Sequence, residues 1–174
     1  MRGLIIIPTR MEWAIKALTS FIICYNKNMQ NVYRFYHNDD CDIKPINPLF
    51  SSIKNPKHLY DLLGDIWCEY SCAPRLRKDW SINNKTLGQC SITAFLAQDI
   101  FGGEVSGIKL DDGSYHCFNI VGKTLFDLAS EQFGDVVLDY ENRVIQNREE
   151  HFSTKEKEER YLYLRNKVLE RIKQ

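Results

Sequence analysis

Residues 86–128 restrict the possible folds more than any other part of this chain. Apolar side chains recur at helical spacing from Ile92 to Ile100, and Gly102-Gly103 is a signal for the end of that helix. Glycine-containing turn signals then separate three strand-like stretches, at residues 104–110, 115–121 and 124–128. The pattern predicts a helix followed by an antiparallel meander.

Helical periodicity flanks this segment on both sides. Apolar residues recur at helical spacing over residues 56–67 and again over residues 161–172. Two Ser/Thr-to-Glu/Gln spacings, beginning at Thr86 and Ser153, fit capping boxes that open helices. The sequence therefore predicts an α+β fold in which N-terminal helices pack on a small antiparallel sheet and a C-terminal helix follows.

The first 50 residues lack this regularity. A helix is predicted over residues 12–24, and Asn- and Asp-rich sequence with two proline breakers follows it. We expect a variable N-terminal leader at residues 1–50 and one α+β domain at residues 51–174.

Charge and hydropathy argue against several kinds of partner. Lys and Arg number 23, as do Asp and Glu, so no net charge attracts nucleic acid or an anionic membrane. The longest uncharged apolar stretch, residues 17–26, is far shorter than the roughly 20 residues that span a bilayer. The N-terminal sequence fits a secretory signal poorly, which favours a cytoplasmic protein. No pattern in the sequence indicates the oligomeric state.

The six cysteines are predicted to be mostly reduced thiols, because a chain of this length without an export signal rarely depends on disulfides. Cys68 and Cys72 can be combined with His116 or Cys117 into a zinc site, but no second closely spaced pair accompanies them. We therefore expect no metal and no cofactor.

Cys90 is the candidate nucleophile, because it falls near the first turn of the predicted helix. Unpaired backbone N–H groups and the positive end of the helix dipole favour a thiolate there, and a nearby imidazolium favours it further. The same N–H groups can accept the negative charge that develops on an attacked carbonyl oxygen.

His116 and Asp127 are the candidate partners of this thiol. His116 lies on the second predicted strand, in a sheet that must pack against the Cys90 helix. If Gly122-Lys123 forms a two-residue turn, Asp127 lies diagonally across from His116 on the same face, roughly 7–8 Å away at the backbone. That separation allows the carboxylate to orient the imidazole and to stabilise its charged form.

Two neighbouring residues have the opposite strand parity. Asn119 points to the other face and replaces Asp127 as the orienting residue only if a bulge shifts the register. Cys117 points away from Cys90 and is predicted to be a packing residue. Each candidate taken alone is more often structural, since Cys and His are common in protein cores.

The irregular segment at residues 71–87 supplies three weaker candidates. Arg75 and Arg77 are placed to clamp a substrate carboxylate, and Trp80 to form a wall of the cleft. By composition alone, ordinary surface charges and a core aromatic are the more frequent explanation.

A set of short motifs carries a family resemblance. They are Trp80-Ser81, residues 88–94, Gln98-Asp99, residues 102–104, His116, Asn119, residues 126–128 and residues 131–133. Over about residues 56–174 the chain resembles a small bacterial family, the YunG-like proteins, and its order of Cys, His and Asp is similar to that of papain-like cysteine hydrolases. The resemblance implies a compact papain-like domain with a Cys-His-Asp site at Cys90, His116 and Asp127, and it implies no substrate.

The oxyanion donor differs from that of larger papain-like enzymes. Those enzymes place a Gln several residues before the nucleophile, whereas Gln89 immediately precedes Cys90. We therefore expect Gln89 to serve the capping box, and the backbone N–H groups of Cys90 and Trp80 to face the oxyanion.

Two functions fit these residues. The first is a cysteine hydrolase or acyltransferase that attacks the amide or related acyl group of a peptide or small substrate. The second is a non-catalytic module on the same fold that binds a ligand or peptide, with Cys90 incidental. A redox-sensing thiol and a metal site are further alternatives, and the reactivity of the thiol separates the first function from the second.

Overall fold

A computed structural model describes residues 33–173, so the helix predicted at residues 12–24 lies outside the described part. Its helices are α1 (Pro56–Gly64), α2 (Cys90–Phe101), α3 (Arg148–Phe152) and α4 (Lys155–Ile172). Its strands are β1 (Glu104–Lys109), β2 (Tyr115–Val121), β3 (Thr124–Phe126) and β4 (Arg143–Ile145). The mixed α+β class predicted from the sequence is confirmed.

The four strands form one antiparallel sheet in the order β3-β2-β1-β4. Val121 pairs with Thr124 and Asn119 with Phe126, as the predicted two-residue turn requires. Strand β4 was not predicted, because its three residues are all exposed and show no alternation of apolar and polar side chains. It pairs with β1, which lies far from it in the sequence.

Helix α2 begins at Cys90 with Gln89 as its N-cap, three residues later than the capping box at Thr86 predicts. The side chain of Gln89 makes no cap bond and instead donates to the carbonyl of Cys68 at 3.1 Å. The second predicted box also forms no side-chain cap bond, and α4 begins after Thr154 as its N-cap. Both capping predictions are wrong in detail. In each, another partner takes the side chain that local spacing assigns to the cap: the carbonyl of Cys68 binds Gln89, and the carbonyl of Glu150 binds the hydroxyl of Ser153.

Helix α1 starts where the sequence predicts. Asn55 accepts a hydrogen bond from the backbone N–H of His58 at 3.0 Å, and Pro56 occupies the first turn. Helix α2 also ends where the sequence predicts. Its C-cap is Gly102, whose φ of 77° is accessible to glycine at little cost.

The main core lies where α2 packs between the sheet and α4. Phe95, Leu96 and Ile100 of α2 are fully buried there. Residues 33–50, assigned above to the leader, contribute Phe35 and Phe50 to the same core. Within residues 33–173, no helix is long and apolar enough to cross a membrane.

Candidate active site

Cys90 is the first residue of α2 and is partly exposed. Its thiol lines a cavity of about 570 Å³, here called the Cys90 cavity, which is bounded by parts of residues 73–91, 110–117, 132–133 and 146–160. Within residues 33–173 no acceptor takes the backbone N–H groups of Cys90 and Ser91. The positive end of α2 therefore faces the thiol without a side-chain cap.

His116, the second residue of β2, lies against this thiol and is bound to Asp127 on its far side. Nε2 of His116 is 2.5 Å from Oδ2 of Asp127, and both side chains are buried. The carboxylate also accepts the backbone N–H of Ala129 at 3.0 Å and the hydroxyl of Tyr140 at 2.9 Å. These three contacts fix its orientation and leave Nδ1 as the ring nitrogen that is free of Asp127.

The electrostatics of the three side chains favour separated charges. Burial by itself lowers the pKa of His116, but the Asp127 carboxylate and the interaction with Cys90 raise that pKa to about 10. The pKa of Cys90 lies well below that of an ordinary thiol, because the thiolate receives a hydrogen bond from Cys117 and interacts with His116, against the opposing effect of burial. Both shifts favour a thiolate paired with an imidazolium.

Cys117 packs in the main core as predicted, but it also lines the Cys90 cavity, so the prediction that it points away from Cys90 is wrong. The Cys117 thiol donates to the Cys90 thiolate, and this bond followed by burial raises the pKa of Cys117 well above its ordinary value. Alternation separates Cys117 from His116 across the sheet, but Cys90 lies at the end of α2, where both side chains reach it. One helical turn further along, Asn119 donates to the carbonyl of Ala94 at 2.8 Å.

Four of the weaker candidates lie outside the Cys90 cavity, namely Asn119, Trp80, Arg77 and Gln89. The backbone N–H of Trp80 donates to the carbonyl of Arg77 at 3.2 Å, and the Trp80 ring N–H donates to the carbonyl of Lys85 at 3.1 Å. Arg77 itself binds the carbonyls of Cys72 and Tyr70. These side chains support the backbone around the site and do not face it.

Gln89 and Arg75 complete the set of weaker candidates. Gln89 is fully buried and turned away from the cavity, toward Cys68. Arg75 does line the Cys90 cavity, where it forms an ion pair with Asp112 at 3.2 Å and a hydrogen bond to Ser114.

Gln132 is a site residue that the sequence analysis did not single out. Its Nε2 lies 3.2 Å from Nδ1 of His116 and donates to the carbonyl of Ala129 at 2.9 Å. Its Oε1 accepts the backbone N–H of Gly88 at 3.3 Å, which fixes the amide beside the thiol. The available signal was its place in the motif at residues 131–133, directly after the strand that leads to Asp127.

The remaining cysteines form no further site in the described part of the chain. Cys41, Cys68, Cys72 and Cys117 are free thiols, as is Cys90. Among residues 33–173, no group of three or more His, Cys, Asp or Glu side chains is arranged to hold a metal ion.

Fold and site together define a small α+β protein in which a helix-start cysteine faces a buried His-Asp pair. Residues 55–173 match the YunG protein family, and the chain belongs to that family. It is 31% identical over 109 residues to the uncharacterized protein YunG of Bacillus subtilis (strain 168). The aligned region covers 63% of this chain and 87% of the relative. No solved structure matches the chain.

Proposed function

We propose that this protein is a papain-like cysteine hydrolase or acyltransferase that acts on the amide or related acyl group of a peptide or small molecule. Cys90 is the nucleophile, His116 transfers protons, and Asp127 orients His116. The proposal rests above all on the 2.5 Å contact between the buried His116 and Asp127 beside a partly exposed thiol. The papain-like fold is part of the proposal, supported by a helix-start Cys packed against the antiparallel strand that carries the His.

The reaction proceeds in two steps. In the first, Sγ of Cys90 attacks the carbonyl carbon, a C–S bond forms, and the C–N bond breaks as His116 gives the proton on Nδ1 to the leaving amine. In the second, water gives a proton to His116 and attacks the thioester carbon. The C–S bond then breaks and releases a carboxylic acid and the thiolate; an amine in place of water gives acyl transfer.

The oxyanion of each tetrahedral intermediate needs hydrogen-bond donors. The free backbone N–H of Cys90 is one. Gln132 is the second donor in our proposal. When Nδ1 of His116 is protonated, it has no lone pair to accept the amide N–H of Gln132. That N–H is then available to the substrate. Gln132 takes the role that the sequence analysis gave to Trp80, whose N–H is already bound to Arg77.

The pH dependence of alkylation tests the proposal. Each cysteine is labelled with iodoacetamide between pH 5 and 9 and followed by peptide mass spectrometry, in the wild type and in His116→Ala. We expect Cys90 to react rapidly at pH 6 and to lose that reactivity in His116→Ala. Cys68 is the internal control, because its own partners are Ser71 and Tyr163.

Ordinary thiol behaviour of Cys90 in both proteins overturns the proposal. That outcome removes the activated thiolate on which acyl transfer depends, and it favours the non-catalytic binding module instead.

A further inference from the structure

Among residues 33–173, one cationic side chain of the Cys90 cavity, Lys157, has no acidic partner. Among the described residues, the lining of this cavity includes Arg75, Lys157 and Arg160 and no Asp or Glu. Arg75 is paired with Asp112, and Arg160 is paired with Glu156. Within residues 33–173, Lys157 forms neither a salt bridge nor a side-chain hydrogen bond, although it is partly buried. Lys157 is therefore the cation of this cavity that is available to an anionic ligand.

Lys157 lies where two cavities meet. It lines the Cys90 cavity and also a neighbouring cavity of about 480 Å³. Three other residues line both cavities as well, namely Tyr115, Gln146 and His151. A ligand that starts at Cys90 therefore has space to extend past Lys157 into the neighbouring cavity, whose lining includes one acidic residue, Glu150.

His151, which lines the same junction, supplies a second observation. Its ring Nε2 is buried and has no hydrogen-bond partner within residues 33–173. Burial and the charges of Lys157 and Arg160 lower the pKa of His151 to about 4, so the ring is neutral at physiological pH. A neutral imidazole with a free nitrogen beside an unpaired ammonium group fits a ligand that carries acceptor oxygens.

We propose that the acyl substrate of Cys90 carries a carboxylate, and that Lys157 binds this carboxylate at the junction of the two cavities. The inference rests on the proposed function and specifies its substrate class. Apolar side chains, among them Leu76, Leu110 and Phe133, line the rest of the Cys90 cavity and contact the uncharged body of the substrate. The preferred substrate is thus an amide with an apolar body and a negative charge.

Two reagents of nearly the same size test this inference. Iodoacetate is anionic and iodoacetamide is neutral, and both alkylate the same thiolate. The ratio of the iodoacetate rate to the iodoacetamide rate at Cys90 is therefore independent of the thiolate fraction. It reports how strongly the cavity favours a carboxylate over a neutral amide. The ratio is measured for the wild type, Lys157→Met, Lys157→Gln and Lys157→Arg.

We expect Lys157→Met and Lys157→Gln to lower the ratio about fivefold, the effect of one favourable charge pair, and Lys157→Arg to preserve it. Lys155→Met is the matched control: Lys155 lies two residues away on the same helix, is 87% exposed and pairs with Glu159. An unchanged ratio in both Lys157→Met and Lys157→Gln overturns the inference, as does an equal fall in Lys155→Met.

The two proposals fail in different ways. An unchanged reagent ratio in Lys157→Met and Lys157→Gln, with rapid iodoacetamide labelling of Cys90 at pH 6 retained, contradicts only the substrate class. Slow labelling of Cys90 at pH 6 contradicts the proposed function, while the reagent ratio measured at pH 9.5, where an ordinary thiol is ionised, still reports on Lys157.

Discussion

Nε2 of His116 lies 2.5 Å from Oδ2 of Asp127, eleven residues further along the chain and beyond the end of the β2–β3 ladder. Both side chains are buried, so the carboxylate acts on the imidazole with little screening by solvent. The reactivity of Cys90 should therefore depend on a residue that does not itself face the Cys90 cavity.

Asp127→Asn keeps the shape of this side chain and removes its charge. We expect the pKa of His116 to fall and that of Cys90 to rise, so that alkylation of Cys90 at pH 6 slows at least about tenfold, while the rates at pH 9.5 converge. The measurement is iodoacetamide labelling followed by mass spectrometry. Asp139→Asn, at an exposed carboxylate, is the control, and equal rates in Asp127→Asn and the wild type at pH 6 contradict the role of Asp127.

Gln132→Leu separates oxyanion stabilisation from thiol activation. Acylation of Cys90 by p-nitrophenyl acetate passes through an oxyanion, whereas alkylation by iodoacetamide does not. We expect the acylation rate to fall about 100-fold and the alkylation rate at pH 6 to change little.

Gln146→Leu is the matched control, since Gln146 lines the same cavity and its amide binds Val144. A parallel fall of both rates in Gln132→Leu would show that Gln132 acts by positioning His116 and not by binding the oxyanion.

His151 should make the protein sensitive to mild acid. Its pKa is lowered from 6.5 to about 4 in the folded state, so between these values the unfolded chain binds a proton that the folded chain does not. The contribution of neutral His151 to the free energy of unfolding is complete above pH 6.5 and is lost as the pH falls through about 4.

His151→Phe keeps the aromatic contacts with Phe95 and Phe152 and removes the titration. Urea unfolding at pH 7.5 and pH 4.5 measures the effect. We expect the wild type to lose about 1–2 kcal/mol more stability than the variant over this interval. Equal losses in the two proteins exclude His151 as the titrating group.

Gly88 supports the site through its backbone. Its φ is +68°, and a Cβ there would lie 2.7 Å from Sγ of Cys72 and 2.9 Å from N of Ala73. We expect Gly88→Ala to destabilise the fold by about 1–3 kcal/mol and to slow alkylation of Cys90 two residues away. Gly113→Ala is the control, because Gly113 has a φ of +80° and open space around it, so urea unfolding of this variant measures the backbone strain alone. A loss of stability in Gly88→Ala no greater than in Gly113→Ala would contradict the steric argument.

Much of the fold followed from local sequence. The Asn-Pro start of α1, the glycine stop of α2 and the two-residue turn at Gly122-Lys123 each depend on backbone preferences of a few adjacent residues. Strand parity and that turn then gave a register in which Asp127 is close to His116. These features are predictable because their energies arise within one hairpin or one helix end.

Contacts between distant segments decided the rest. The start of α2 moved to Cys90 because the amide of Gln89 finds the carbonyl of Cys68, 21 residues earlier. Gln132, from a turn beyond the sheet, reached His116, and Lys157 of α4 reached the cavity of a thiol on another helix. Periodicity describes which face of an element is buried, but it does not say which elements meet. The sequence by itself thus determined the order Cys90, His116, Asp127 and the local elements that carry them; only tertiary packing decided which polar groups surround the thiol.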